Sequence, residues 1–275
     1  MLIFATATLA GFLLLVWGAD RFVLGAGAAA RNLGVSPLMI GLTIVSFATS
    51  LPEVLVSVTA SLQASPGLAI GNAIGSNIAN IGLVLGVTAM VCPIHLESAT
   101  LRREIPALLA VTLLAAMLCM DGFLGRVDGY VLIGSLGLLM LWIVKLGFLS
   151  AATDPIRQEF EEEIPTDVSM KAAIGWLIIG LVILLLGANT LVWGAEEIAR
   201  AVGISDVIIG LTIVAVGTSL PELAVTVVSA MKNEHGLAIG NVIGSNMFNT
   251  LAVLGPAAII YPVTLQPRIM DFHLP

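Results

Sequence analysis

Two copies of one long segment occur in this chain, and the number of apolar runs between them leaves very few folds open to it. Aligning Gly41 with Gly210 and holding the offset at 169 places GLTIVSFATSLPE on GLTIVAVGTSLPE and GLAIGNAIGSNIAN on GLAIGNVIGSNMFN. Between Gly41–Gly86 and Gly210–Gly255, 26 of 46 positions are identical without a gap. The match continues upstream at Gly18/Gly187, Val23/Val192, Gly25/Gly194 and Arg31/Arg200. Self-similarity of this extent marks a duplication.

Apolar runs lie near residues 3–30, 37–62, 67–91, 103–120, 127–149, 172–199, 206–231 and 236–260. Runs of about 20 apolar residues are what a helix needs to cross a roughly 30 Å hydrocarbon layer. Only 11% of residues are charged, 58% are hydrophobic, and the mean hydropathy is +1.06. A chain with so little polar surface must satisfy its backbone in lipid, and without the short alternating segments of a β-barrel it does so as helices. The expected fold is an all-α polytopic membrane protein. Because the copies begin at the first and sixth runs, five crossings separate equivalent spans. An odd number gives the copies opposite orientation, so the chain reads as two inverted-topology repeats of five transmembrane helices. Such repeats are characteristic of secondary transporters, whose sites lie at the repeat interface near the midplane.

This divides the chain into a first repeat over 1–150 (spans 1–5, motif 41–86), an acidic linker over 151–170 and a second repeat over 171–275 (spans 6–8, motif 210–255). Under the same offset, Met270–Pro275 fall on Leu101–Pro106, where the first repeat goes on into its fourth and fifth spans. The reading therefore expects two further helices in the native protein. The net charge of −7 is concentrated in the linker, where Asp154, Glu159, Glu161, Glu162, Glu163 and Asp167 read as a solvated cytoplasmic loop. No basic patch exists to receive nucleic acid; the partners expected are the lipid bilayer and inorganic cations. Cys92 and Cys119 suggest neither a disulfide framework nor a metal site. The first apolar run lacks a positive leader and recurs in mid-chain, so it is read as a retained span. With the N-terminus outside, inner loops hold Arg31, Arg102, Arg103, Lys145, Arg157, Lys171 and Lys232, and outer ones Arg126, Arg200 and Arg268. That asymmetry favours an outside N-terminus in the cell membrane.

Glu53 and Glu222 sit mid-span with no Lys or Arg in either span. A carboxylate there costs on the order of 3 kcal/mol to insert, which marks it as functional. Pro52 and Pro221 lack the N–H that would bond the carbonyls of Ala48 and Gly217, so each turn loosens. Backbone carbonyls near Ser46, Thr49, Ala215 and Thr218 then join the hydroxyls of Thr49, Ser50, Thr218 and Ser219 as oxygen ligands. In the following span of each half, Asn72, Ser76 and Asn80, and likewise Asn241, Ser245 and Asn249, lie four apart on one helix face. Ser76, Asn80, Ser245 and Asn249 are read as ligands. The parallel stripes Gly67, Gly71, Gly75 and Gly236, Gly240, Gly244 are read as helix-packing surfaces. An inventory of carboxylate, hydroxyl, amide and carbonyl suits hard cations such as Ca²⁺ and Na⁺ and leaves H⁺ open. Flexible coordination favours Ca²⁺ over Mg²⁺. His95, His235 and His273 fall in loops or the terminus and are read as uninvolved.

At ATSLPE (48–53), GTSLPE (217–222) and the paired GSN segments, the sequence resembles the calcium/cation antiporter superfamily, in particular prokaryotic sodium/calcium exchanger-like proteins. The resemblance covers essentially the whole chain. It implies a ten-span fold, no cofactor, and alternating access in which Ca²⁺ leaves against entering Na⁺. It also implies first and sixth spans that act as sliding gates. The ligands implied are Thr49, Ser50, Glu53, Ser76 and Asn80, with Thr218, Ser219, Glu222 and Ser245 opposite. Many relatives carry an aspartate where Asn249 stands; with asparagine in both halves the site holds two negative charges, and potassium dependence is not expected. The alternative reading is cation/proton exchange on the same fold. A cation channel is less favoured, since no ring of charge or filter is visible. An enzyme is disfavoured by the lack of a nucleophile–base pair.

Overall fold

The computed structural model describes residues 1–94, 98–150, 168–204, 213 and 215–264. The linker acids Asp154 to Asp167, His95, His273, Met270–Pro275 and positions 206–212 of the seventh expected span lie outside the described residues. Helices dominate. Two long ones, α1 (Leu2–Leu33) and α9 (Met170–Ala201), have 32 residues each. A positive-φ Gly34 caps α1, and Ser169 accepts a hydrogen bond from Ala172 N–H to open α9. Asn32 Nδ2 donates to the Val168 carbonyl, joining the end of α1 to the start of α9.

The second span is broken. Short helix α2 (Pro37–Ile40) runs through a π-helical turn, Gly41–Val45, into α3 (Ser46–Thr49), and α4 (Leu51–Leu62) leaves at a bend of 43°. Then come α5 (Pro66–Ala79), a π-helical turn over Asn80–Leu85 and α6 (Gly86–Val91), which together form one span of 26 residues. Helices α7 (Ser98–Cys119) and α8 (Arg126–Ser150) complete the first half. The second half repeats the pattern after α9: α10 (Ala215–Thr218), α11 (Leu220–Met231), α12 (His235–Phe248), a π-helical turn over Asn249–Val253 and α13 (Leu254–Ile260). Two short strands were not anticipated. Phe123–Leu124 (β1) pairs antiparallel with Val263–Thr264 (β2), tying the α7–α8 loop to the chain beyond α13.

Glycine contacts fix the helix directions. Gly11 lies against Leu191, Gly18 against Leu184 and Gly25 against Leu177, so the equivalent helices α1 and α9 run antiparallel. A methyl group at any of the three would collide with backbone of the opposite helix. Gly236, Gly240 and Gly244 lie in turn against Leu38, Gly41 and Ser46, so α12 runs parallel to the α2–α3 arm. The packing expected of that stripe is present. For the first-half stripe, a Cβ at Gly67, Gly71 or Gly75 would meet nothing within 4 Å among the described residues. At the offset of 169, the arm that would mirror α2–α3 against this stripe is 207–215, most of which lies outside the described residues, so packing at Gly67, Gly71 and Gly75 stays an expectation. Helix α12 is the centre of the bundle, with every residue from Leu237 to Phe248 buried. The outer faces of α1, α8 and α9 carry exposed Leu13, Leu138 and Ile178, as a lipid-facing surface does.

Cys92 and Cys119 are both free thiols. Near the middle of α1, Asp20 accepts an ion pair from Lys232 at 2.6 Å, just past the end of α11. The neighbouring Arg21 guanidinium lies 5.5 Å from the Trp17 ring centre and 5.2 Å from that of Trp176.

Candidate cation site

The two breaks share one geometry because they share one sequence. Ser50 (φ −84°, ψ 4°) and Ser219 (φ −89°, ψ 3°) leave helical backbone just before Leu-Pro-Glu. Proline near a helix start is tolerated because its missing N–H would be unbonded there anyway. Glu53 and Glu222 thus fall in the first turns of α4 and α11, where unpaired N–H groups and the helix dipole favour negative charge. Each is 1% exposed.

The breaks come together from opposite halves. Ser50 Oγ donates to Glu222 Oε1 at 3.1 Å, so the second half's carboxylate meets the turn that carries Glu53. Thr49, Ser50, Ser46 and Ser219 are all buried at the same junction. Thr49 Oγ1 faces Asn241 Oδ1 at 3.2 Å and the Ser46 carbonyl at 3.3 Å. The Ser46 carbonyl also accepts Ser50 N–H at 3.0 Å, so the break there is hydrogen-bonded on its helical side. Thr218 is half-buried on the last turn of α10, and Ala215 begins that helix.

The third group of candidates comes from α5 and α12. Ser76 and Ser245 are buried, and Asn80 and Asn249 stand at the first residues of the π-helical turns that follow. A π turn holds an extra residue and so re-aims side chains relative to a regular helix. Asn80 and Asn249 are 1% and 0% exposed. Both side-chain atoms of each amide lack a hydrogen-bond partner. The same holds for Glu53 Oε1 and Oε2, Glu222 Oε2, Ser219 Oγ and Ser245 Oγ. Buried polar atoms are nearly always bonded, so these unpartnered oxygens and amides are the groups in this region able to take up a ligand. Among the described residues no cluster of three or more His, Cys, Asp or Glu occurs, so a cation here would be held by two carboxylates and neutral oxygens. His235 opens α12 and is itself partnered.

Two bracing pairs escaped the motif reading. Asn72 Nδ2 donates to the Glu53 carbonyl at 3.0 Å and to Ser57 Oγ at 2.9 Å. Asn241 Nδ2 donates to the Glu222 carbonyl at 3.3 Å and to Thr226 Oγ1 at 2.9 Å. Ser57 and Thr226 are equivalent at the offset of 169, each one turn past its glutamate, and that recurrence of a hydroxyl was the available signal. A further bond joins the halves, from Asn77 Nδ2 to Thr250 Oγ1 at 3.0 Å.

Comparison with known proteins places this arrangement. The chain matches the sodium/calcium exchanger protein family over residues 3–150 and 172–275. It is 47% identical to the putative antiporter CaxA of Alkalimonas amylolytica, over 95% of this chain and 82% of that one. It is 32% identical to the sodium/calcium exchanger MaX1 of Methanosarcina acetivorans, over 97% of this chain and 86% of that protein. A solved structure of the sodium-calcium exchanger NCX_Mj, soaked with Na⁺ and Ca²⁺, superimposes with a TM-score of 0.85 at 39% identity, covering 98% of this chain and 86% of that one. The chain belongs to the sodium/calcium exchanger protein family and is a multi-pass membrane transporter, not an enzyme.

Proposed function

We propose that this antiporter exports Ca²⁺ across the cell membrane against entering Na⁺ by alternating access. One observation supports the reading: Glu53, Ser219, Ser245, Asn80, Asn249 and Glu222 Oε2 carry buried side-chain oxygens without protein partners, and Ser50 of one half bonds Glu222 of the other. Two carboxylates neutralise one Ca²⁺, and the hydroxyls of Thr49, Ser50, Thr218 and Ser76 and the carbonyls of Ser46 and Ala215 complete an oxygen shell of the kind Ca²⁺ accepts. Both ions are named for the exchanger structure that superimposes on this chain. Na⁺ binds among the same oxygens; three Na⁺ bound together would leave the site at +1, so exchange is electrogenic. The antiparallel α1–α9 pair, packed glycine to backbone, is the element proposed to slide and open the site to each side in turn. The N-terminus is placed outside.

The test is Ca²⁺ flux in proteoliposomes. An imposed Na⁺ gradient at equal pH should drive Ca²⁺ movement. Movement driven only by a pH gradient would replace Na⁺ with H⁺ as the coupling ion.

A further inference from the structure

We propose that Asn241 is a positioning residue that turns the Thr49 hydroxyl into a cation acceptor, an inference resting on the exchange reading above. Asn241 is fully buried on α12, outside the set of proposed ligands. Its amide orientation is dictated by its neighbours. The Glu222 carbonyl at 3.3 Å can only accept, so Nδ2 faces it and Thr226 Oγ1, and Oδ1 faces Thr49 across the boundary between halves. An amide oxygen cannot donate, so in this pair the Thr49 hydroxyl is the donor, and Asn241 draws its proton in competition with the Ser46 carbonyl and the Glu222 carboxylate.

Two consequences follow for the site. With its proton directed at α12, Thr49 Oγ1 presents lone pairs elsewhere, as a hydroxyl ligand to a cation must. The Ser46 carbonyl, 3.3 Å from the same hydroxyl, then keeps only the Ser50 N–H, and one of its lone pairs remains for a cation. Without Asn241 the Thr49 proton would fall to the Ser46 carbonyl, the usual resting place of a helical threonine hydroxyl, or to the Glu222 carboxylate, and occupy an acceptor that a cation needs. Asn241 thus aligns oxygens on Thr49 and Ser46 of the first half while holding the Glu222 backbone of the second. Its counterpart Asn72 makes the same two bonds from Nδ2, to Glu53 and Ser57.

The experiment is a double-variant cycle on the full chain in proteoliposomes, reading the half-saturating Ca²⁺ concentration of Na⁺-driven flux. Asn241→Leu, of similar volume, and Thr49→Val should each raise it on the order of tenfold. In the Thr49→Val background the penalty of Asn241→Leu should shrink to the part that comes from losing its bonds to Glu222 and Thr226. In a Thr49→Ser background, which keeps the hydroxyl, Asn241→Leu should again cost about tenfold. Equal penalties for Asn241→Leu with and without the Thr49 hydroxyl, or no penalty at all, would overturn the inference. Asn241→Ala repeats the cycle should the leucine variant not assemble, with the same outcomes. Wild-type protein inert to every cation gradient would instead refute the exchange reading, whereas additive variants in an active background refute only the role of Asn241.

Discussion

Ser50 Oγ donates a hydrogen bond to Glu222 Oε1 over 3.1 Å, although the two residues lie 172 positions apart in opposite halves of a duplicated chain. That bond uses one lone pair of a carboxylate whose other oxygen has no protein partner. Glu222→Gln and Glu53→Gln are therefore expected to abolish Ca²⁺ flux in proteoliposomes while the protein still purifies as a folded species. Ser50→Ala, which leaves both carboxylates, should raise the half-saturating Ca²⁺ concentration by only about five- to tenfold. Normal flux in either glutamine variant would remove the carboxylates from the mechanism.

With Asn249 in place of an acid, the proposed site has two negative charges. Replacing K⁺ by choline should leave wild-type flux unchanged, and clamping the membrane voltage should alter its rate. Asn249→Asp adds a third buried carboxylate that must be compensated by an extra cation, so its flux should acquire dependence on K⁺ or on pH. A wild-type protein that stops without K⁺ would contradict this account.

Glycine position should matter more than glycine identity. A methyl at Gly18 meets backbone of Leu184, whereas one at Gly137 on α8 meets nothing within 4 Å among the described residues. Gly18→Ala should lower thermal stability in detergent by an amount typical of overpacking, about 1–3 kcal/mol. Gly137→Ala should be neutral or gain up to about 1 kcal/mol from helix propensity. Equal effects at the two positions would mean that α1 and α9 are not in glycine-mediated contact.

The Asp20–Lys232 pair is about one-third exposed on both sides, so its removal by Lys232→Met should change stability by no more than about 1 kcal/mol. Its mechanical effect should be larger, since it ties the proposed sliding helix α1 to the end of α11. A short reducible cross-link between Asp20→Cys and Lys232→Cys should arrest Ca²⁺ flux, and reduction should restore it. Full transport with the cross-link in place would show that α1 does not move against α11.

Much of the architecture was legible because membrane helices announce themselves by apolar length, and because Pro52 and Pro221 mark the starts of α4 and α11 at the two breaks. The candidate site was legible through repetition: a Ser-Leu-Pro-Glu run in each half singles out Ser50, Glu53, Ser219 and Glu222 as the proposed ligands without any structure. The π-helical turns that begin at Asn80 and Asn249 were not, since a π turn differs from an α turn in hydrogen-bond register and leaves no composition of its own. The two glycine stripes show the other limit. Gly71 and Gly240 occupy equivalent positions in the duplicated motif; Gly240 touches Gly41, whereas Gly210, the counterpart that would face Gly71, lies outside the described residues, and the sequence alone names neither neighbour. The bracing amides of Asn72 and Asn241 were visible as residues but not as braces, because their partners are a backbone carbonyl and a hydroxyl on another helix.

The lengths of α1 and α9 carry a last implication. At 32 residues each, and about 1.5 Å per residue, either helix is roughly 48 Å long, well beyond a hydrocarbon layer of about 30 Å. Such rods lie strongly inclined in the bilayer or project from it, and a change in their inclination trades apolar length between water and lipid. The thickness of the host membrane thereby becomes a variable of the transport cycle: lipids of different acyl-chain length should set different balances between the two orientations of the pair, with no change in any ion or any side chain.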